Sequence, residues 1–541
     1  MAQASVSSKK GFFYYVEKGG NALPHPALLF GIFALTVLAL SLVGSLLGWH
    51  GAHPATGDQV EVVNLLSREG VHRILLEMVT NYTGFAPLGI VMVALLGIGV
   101  AETSGLIKAA INAMLVKAPA KAVTFMIIFA GLLSNVASDV GYVLIIPLAG
   151  VIFHSLGRHP IAGLAAAFAG VSAGFSANII ITPLDPMLAG LTQEAARIVD
   201  ANYEVLPTAN YFFLAGATIL LSIVGTIVCT KWVEPSLGTY TGNVEREEIV
   251  QPTELERKGL SRVGWLLLGW LVVMVVGLFP ETFRIPFTEI TFGNPLGEGI
   301  LRGDVVENGT VVGTNLMGTP LLRGIVTMLF LVGVSAGALY GFTVGRFKKA
   351  EDIILGMNEN FKTLAVYLVL TFFAAQFVAW FRHSELGMIL AINGAAVLEG
   401  IVGSPDAYGN RPNPIPLILI FTIFTAFLNI FIGSASAKWA ILAPVYVPIF
   451  MVLGWSPEFA QAVYHAGDNA TNIISPLLPY FALIIVFYQK YDKDAGIGTI
   501  IASVLPYSIT FFIAWVGLLI AWVLIGIPLG PGTPLYYVIG G

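Results

Sequence analysis

The chain has 541 residues, 56% of them hydrophobic and only 11% charged, against a charged share of about 25% in ordinary soluble domains. A soluble core cannot hide that much apolar surface, and runs long enough to cross a ~30 Å hydrocarbon layer, about 20 residues in a helix, recur from Pro26 to the C-terminus. The net charge of −5 without a basic stripe argues against nucleic acid as a partner, and a single cysteine, Cys229, excludes an internal disulfide or a cysteine metal cluster.

Lys9, Lys10 and Lys18 precede the first apolar run and, by the positive-inside bias, place the N-terminus in the cytoplasm. The run itself, Pro26–Trp49, is too long for the apolar part of a removable signal peptide and is predicted to span the membrane. Further spans are predicted at Phe85–Ile107, Tyr211–Trp232, Arg262–Phe279, Leu321–Gly345, Thr363–Phe381 and Ile497–Ile527. The linkers 231–262 and Arg346–Lys362 carry Arg246, Arg257, Lys258, Arg346, Lys348 and Lys349 near span ends, so they are expected to be cytoplasmic. The Gly-rich linker 280–320, poor in Lys and Arg, is expected outside.

Two regions do not read as simple spans. Within 121–190, an apolar run to Leu133 is interrupted by Ser134-Asn135-Val136-Ala137-Ser138-Asp139 and resumes to Phe153. Within 413–489, the run Pro416–Ile432 is interrupted by Gly433-Ser434-Ala435-Ser436-Ala437-Lys438-Trp439 and continues to Leu453. Each half is short for a span, so each pair is expected to enter the membrane and turn back. Pro147, Gly157 and Pro160 recur at constant offset as Pro444, Gly454 and Pro457, and Asn178–Pro186 resembles Asn472–Pro479 after a small slip. This is an internal repeat, and an odd number of crossings between the copies would invert them. Interrupted apolar segments at matching places in two halves point to a transporter's binding site, because broken helices expose backbone groups near the membrane midplane.

Backbone freed at such a break must face protein, water or an ion. Carbonyls and Ser, Asn and Asp oxygens suit a hard cation, while helix N-termini suit an anionic substrate group. One cluster is Ser134, Asn135, Ser138, Asn178 and Thr182; the other is Asn429, Ser434, Ser436, Asn469, Thr471 and Asn472. Among charges, which are costly at mid-bilayer, Asp139, Asp185, Lys438 and Asp468 stand out. Asp468 with Asn429 is the expected site of a coupling Na⁺, joined by Ser138, Asn469, Thr471 and Asn472; Trp439 is the candidate for stacking on an aromatic substrate. Ser and Asn also cement helix packing, and Trp also sits in interfacial belts, so each residue has a purely structural alternative. No P-loop or HExxH motif is present, so a gradient of Na⁺ or H⁺ is the expected energy source, with no organic cofactor.

The segments Asn81–Gly89, Leu96–Glu102, Asn178–Asp185, Ser434–Pro444 and Gly467–Pro476 resemble signatures of the p-aminobenzoyl-glutamate transporter (AbgT) family, in the same order from about Leu23 onward. The resemblance implies an all-α polytopic protein with about nine spans and two re-entrant hairpins, akin to the divalent anion/sodium symporters, in which a mobile core moves against a scaffold. It further implies a homodimer in a bacterial inner membrane that carries p-aminobenzoyl-glutamate or exports sulfonamide antimetabolites. The family's site residues fall by matching position on Asp185, Asn429, Ser436, Trp439, Asp468 and Pro476. Three residues before the second Asp the family is expected to carry Arg; here stands His465, a residue whose charge can change near neutral pH and a further candidate substrate contact. A sodium-coupled carrier of another carboxylate is the alternative. An ion channel would need a continuous polar pore, and a membrane enzyme a nucleophile–base or metal pattern that is missing.

Overall fold

The computed structural model describes residues 24–52, 57–116, 118–119, 121–137, 141–246, 251–276, 319–403, 412–475 and 477–538, with four short strands inside 282–314. Ser138, Asp139, Pro476 and most of the linker 280–320 therefore lie outside the described residues. The helices in chain order are α1 (Pro26–Leu47), α2 (Arg68–Thr83), α3 (Ala86–Thr103), α4 (Leu106–Val116), α5 (Val123–Leu133), α6 (Ile146–Ser155), α7 (Pro160–Phe168), α8 (Leu184–Ala196) and α9 (Tyr211–Val228). They continue as α10 (Glu254–Val276), α11 (Ile325–Val344), α12 (Glu351–His383), α13 (Leu386–Val402), α14 (Pro414–Asn429), α15 (Ala435–Val452), α16 (Pro457–Asp468), α17 (Phe481–Gln489) and α18 (Ile497–Ile525).

Eight of the described helical segments are long and apolar enough to span a membrane, and shorter apolar helices fill the interior. The protein is a multi-pass membrane protein. All seven expected spans are present, with shifted ends. Helix α12 begins at Glu351, well before Thr363, because charged residues that lower its hydropathy still continue the helix. Asp352 starts it by accepting the backbone N–H groups of Lys348 (2.6 Å) and Lys349 (3.1 Å), which hold its carboxyl below the usual range. The linker expected at 231–262 is also shorter: helix continues from α9 past Lys231 through Leu237, and α10 starts at Glu254. Helix α13, apolar but only 17 residues long, is an element that the expected spans do not include.

Small residues set the closest helix contact. A Cβ on Gly97 of α3 would lie 2.4 Å from Phe330 Cα, and one on Gly337 of α11 would lie 2.6 Å from Ala101 N. Only glycine lets these backbones touch, as in small-xxx-small pairs of membrane helices.

The repeat is visible in the backbone. In the first copy α5 leads to a 3₁₀ turn at Ser134–Ala137, Gly141–Ser155 follows as helix, and α7 packs on both arms. In the second copy α14, a non-helical tip and α15 are followed by α16, again packed on both arms. Gly157 (φ +74°) and Gly454 (φ +82°) end the second arms in the left-handed region, with matching bonds from Gly157 N to His154 O and Arg158 N to Phe153 O, and from Gly454 N to Met451 O and Trp455 N to Phe450 O. Pro160 and Pro457 then open α7 and α16, where a missing N–H costs nothing. One arm is longer than expected: α15 runs 18 residues despite Pro444 and Pro448, and it is mostly buried. Every residue of α16 is buried, which puts this helix at the centre of the molecule.

Candidate functional site

The tips and breaks of both repeats converge on a cavity of ≈ 350 Å³. Its polar wall holds Asn135 from the first tip, Ser434 and Ser436 from the second, and Asn472 from the second break. Its aromatic wall is Phe175 with Tyr142 and Tyr480, whose rings stack at 4.3 Å and 13°. Local sequence explains the walls. Ser434 caps α15 by accepting from Ala437 N (3.3 Å), so its loop folds onto a helix N-terminus that opens on the cavity. Asn135 and Asn178 both donate to Leu132 O, at 3.1 and 3.2 Å, which ties the first tip to the first break. The cavity thus offers hydroxyl and amide groups on one side and a flat aromatic surface on the other.

Beneath the second tip lies a buried charge pair. Lys438 of α15 is 1% exposed and Asp468 at the end of α16 is 0% exposed. The Lys438 ammonium bonds Asp468 Oδ1 and Asn429 Oδ1. Asn429 in turn donates to the Asp468 carbonyl and to Thr471 Oγ1 (2.8 Å). Tyr464 donates to Ala435 O (2.6 Å) and contacts Asp468 Oδ1 (3.1 Å), which links the cavity wall at Ala435 to the carboxylate. Asp468 Oδ2 is buried without a hydrogen-bond partner among the described residues. Asn429, Thr471 and Asp468, expected at a coupling-ion site, come together here around a cation that the protein itself supplies, Lys438. In the sequence Lys438 stands out only as a costly charge; the signal for its role is that it and Asp468 are opposite charges within one repeat.

The other candidates occupy different places. Asn469 accepts from Ser176 N and Oγ (3.1 Å each) and Asn472 donates to Ser172 O (3.2 Å), so these residues lock the two broken helices together. Ser134 donates to Gly131 O within its own turn. Asp185 accepts from Thr182 N (2.6 Å) and Oγ1 (2.8 Å), closing the start of α8 rather than facing the cavity. Trp439 is wholly buried: it lies 4.6 Å from the Tyr464 ring and donates to Thr192 Oγ1 (2.9 Å). Thr192 reaches Gln461 (2.6 Å), which contacts His465 Nε2 (3.4 Å). His465 therefore faces α8 and Gln461, and no hydrogen bond joins its side chain to Asp468. Tyr142, Phe175 and Tyr480 escape sequence reasoning because aromatic residues in apolar runs read as core or belt. Cys229 is buried in the core, as its position suggests.

Comparison with known proteins agrees with this architecture. The model of the AbgT putative transporter family matches residues 11–537. The p-aminobenzoyl-glutamate transport protein of Escherichia coli (strain K12) is 35% identical over 535 residues, 98% of each chain. The crystal structure of the Alcanivorax borkumensis YdaH transporter, described as having an unusual topology, is 40% identical with a TM-score of 0.82, over 94% of this chain and 100% of that one. Neisseria gonorrhoeae MtrF, described as illuminating a class of antimetabolite efflux pumps, is 43% identical with a TM-score of 0.85, over 97% and 100%. With its two tip-and-break repeats and the match along nearly its whole length, the chain is a transporter and belongs to the AbgT family.

Proposed function

We propose that the protein is an ion-coupled secondary transporter of p-aminobenzoyl-glutamate-like aromatic amides or of sulfonamide antimetabolites, and that the cavity between the two tips holds the substrate. The observation that carries the reading is the pairing of the Tyr142–Tyr480 stack with Asn135, Ser434, Ser436 and Asn472 around one space. An aromatic amine fits against the rings, and amide, sulfonyl or carboxylate oxygens fit against the hydroxyl and amide groups and the N-terminus of α15.

Coupling is assigned to Lys438 and Asp468. A Na⁺ or H⁺ that takes the carboxylate displaces the ammonium, and Tyr464 carries that change to the Ala435 carbonyl at the cavity wall. The same reading makes the protein a homodimer of a bacterial inner membrane with a cytoplasmic N-terminus, in keeping with Lys9, Lys10 and Lys18. The test is uptake of labelled p-aminobenzoyl-glutamate into proteoliposomes under an imposed Na⁺ or pH gradient in turn, with a sulfonamide as competitor. Saturable uptake driven by one gradient supports the reading; flux that neither saturates nor follows either gradient overturns it.

A further inference from the structure

A second space lies on the far side of the first tip. Helices α4 and α10 run beside each other with a slot between them, and Leu260 lines both of two cavities in it. The inner one, ≈ 470 Å³, is lined only by apolar residues and glycine; it reaches from Val263 and Leu267 of α10 to Leu133 and Val136 of the first tip and Ile180 of the first break. The outer one, ≈ 360 Å³, is polar at its mouth, where Gln251, Arg257 and Ser261 face it. Arg257 is exposed and makes no ion pair among the described residues, while its neighbour Glu256 is occupied by Thr253 N (2.8 Å) and Oγ1 (3.0 Å). Lys258 and Arg262 add positive charge to the same end of α10, which also carries Glu254 and Glu256 in its first turn and is left with one net positive charge. Only 11% of the apolar window of α10 is buried, so the helix presents most of its surface outward.

We propose that this slot is a binding site for one anionic phospholipid. The guanidinium of Arg257 takes the phosphate, Gln251 and Ser261 bond a hydroxylated headgroup, and one acyl chain passes Leu260 into the apolar cavity as far as the first tip. Charge decides the occupant: a zwitterionic lipid would bring its own cation to a mouth that already holds one, whereas a phosphate without an amine leaves the arginine paired. The headgroup lies at the end of α10 that the basic bias assigns to the cytoplasm. The chain end touches the first tip and break, so an occupied slot wedges α10 and α11 against an element of the proposed transport site.

The test uses the purified full-length protein in phosphatidylcholine nanodiscs doped with phosphatidylglycerol, transferred to mild detergent, with retained lipid read by native mass spectrometry. Wild type is expected to retain phosphatidylglycerol in preference to phosphatidylcholine. Arg257→Ala is expected to lower that preference about tenfold, which corresponds to about 1.4 kcal/mol. Gly264→Leu fills the inner cavity from a position with nothing within 4 Å, so it is expected to fold normally and to lose both lipids. Equal retention of the two lipids by wild type, or unchanged retention in both variants, would overturn the proposal. So would displacement of phosphatidylglycerol by p-aminobenzoyl-glutamate, which would give the slot to the substrate, or a change of oligomeric state in Gly264→Leu, which would give it to a second copy of the chain.

Discussion

Removing either member of the Lys438–Asp468 pair should harm the protein more than removing both. Lys438 is 1% and Asp468 0% exposed, and among the described residues each is the other's only opposite charge at bonding distance. Deleting one partner of such a pair leaves an uncompensated buried charge at a cost of about 3–5 kcal/mol, while replacing both with neutral groups of similar shape is often close to neutral. Lys438→Met and Asp468→Asn should therefore each lose about 3–5 kcal/mol, a large part of a total stability of about 5–15 kcal/mol. The double variant should recover most of that loss, since Tyr464 and Asn429 keep neutral partners. Thermal and denaturant unfolding of all four proteins in nanodiscs gives the coupling energy directly. Additive losses, or single variants as stable as wild type, would refute the pair as an energetic unit.

Tyr480→Ala and Tyr142→Ala should each weaken p-aminobenzoyl-glutamate binding by about 0.5–1.5 kcal/mol, the worth of one aromatic contact, measured by calorimetry on folded protein. Trp439→Ala should cost about 3–5 kcal/mol of stability through the space it leaves against Tyr464, and Trp439→Phe about 1 kcal/mol for the lost bond to Thr192, both read by unfolding. Gly157→Ala and Gly454→Ala should each cost about 1–2 kcal/mol because both stand at positive φ, again read by unfolding. His465→Gln, which keeps a polar group against Gln461, should leave the pH profile of transport between about 5.5 and 8 unchanged, because His465 does not bond Asp468; a flattened profile would return the titration to His465.

The membrane class, the repeat and the broken helices are legible in the sequence because each leaves a local mark: apolar length, a polar tip, a Pro or Gly at a constant offset. Helix α13 escapes because it is short for a span at 17 residues, although its sequence is apolar despite Asn393 and Glu399. At the site, the residues that line the cavity from the tips are legible as Ser and Asn in an apolar context. What joins them is not. Lys438 and Asp468 are thirty positions apart on different helices, and neither helical period nor spacing says that the ammonium fills the place a coupling cation is expected to take. Trp439 and His465 lie beside the right elements but point into the string of bonds through Thr192 and Gln461, a direction set by how α8 packs on α15 and α16.

The most direct test of the coupling role compares the Lys438→Met/Asp468→Asn double variant with wild type in proteoliposomes, using labelled p-aminobenzoyl-glutamate in two modes. The account predicts that the double variant still exchanges labelled for unlabelled substrate at equal concentrations, because the cavity is intact, and fails to concentrate substrate under either a Na⁺ or a pH gradient. Accumulation at the wild-type level by the double variant would contradict it.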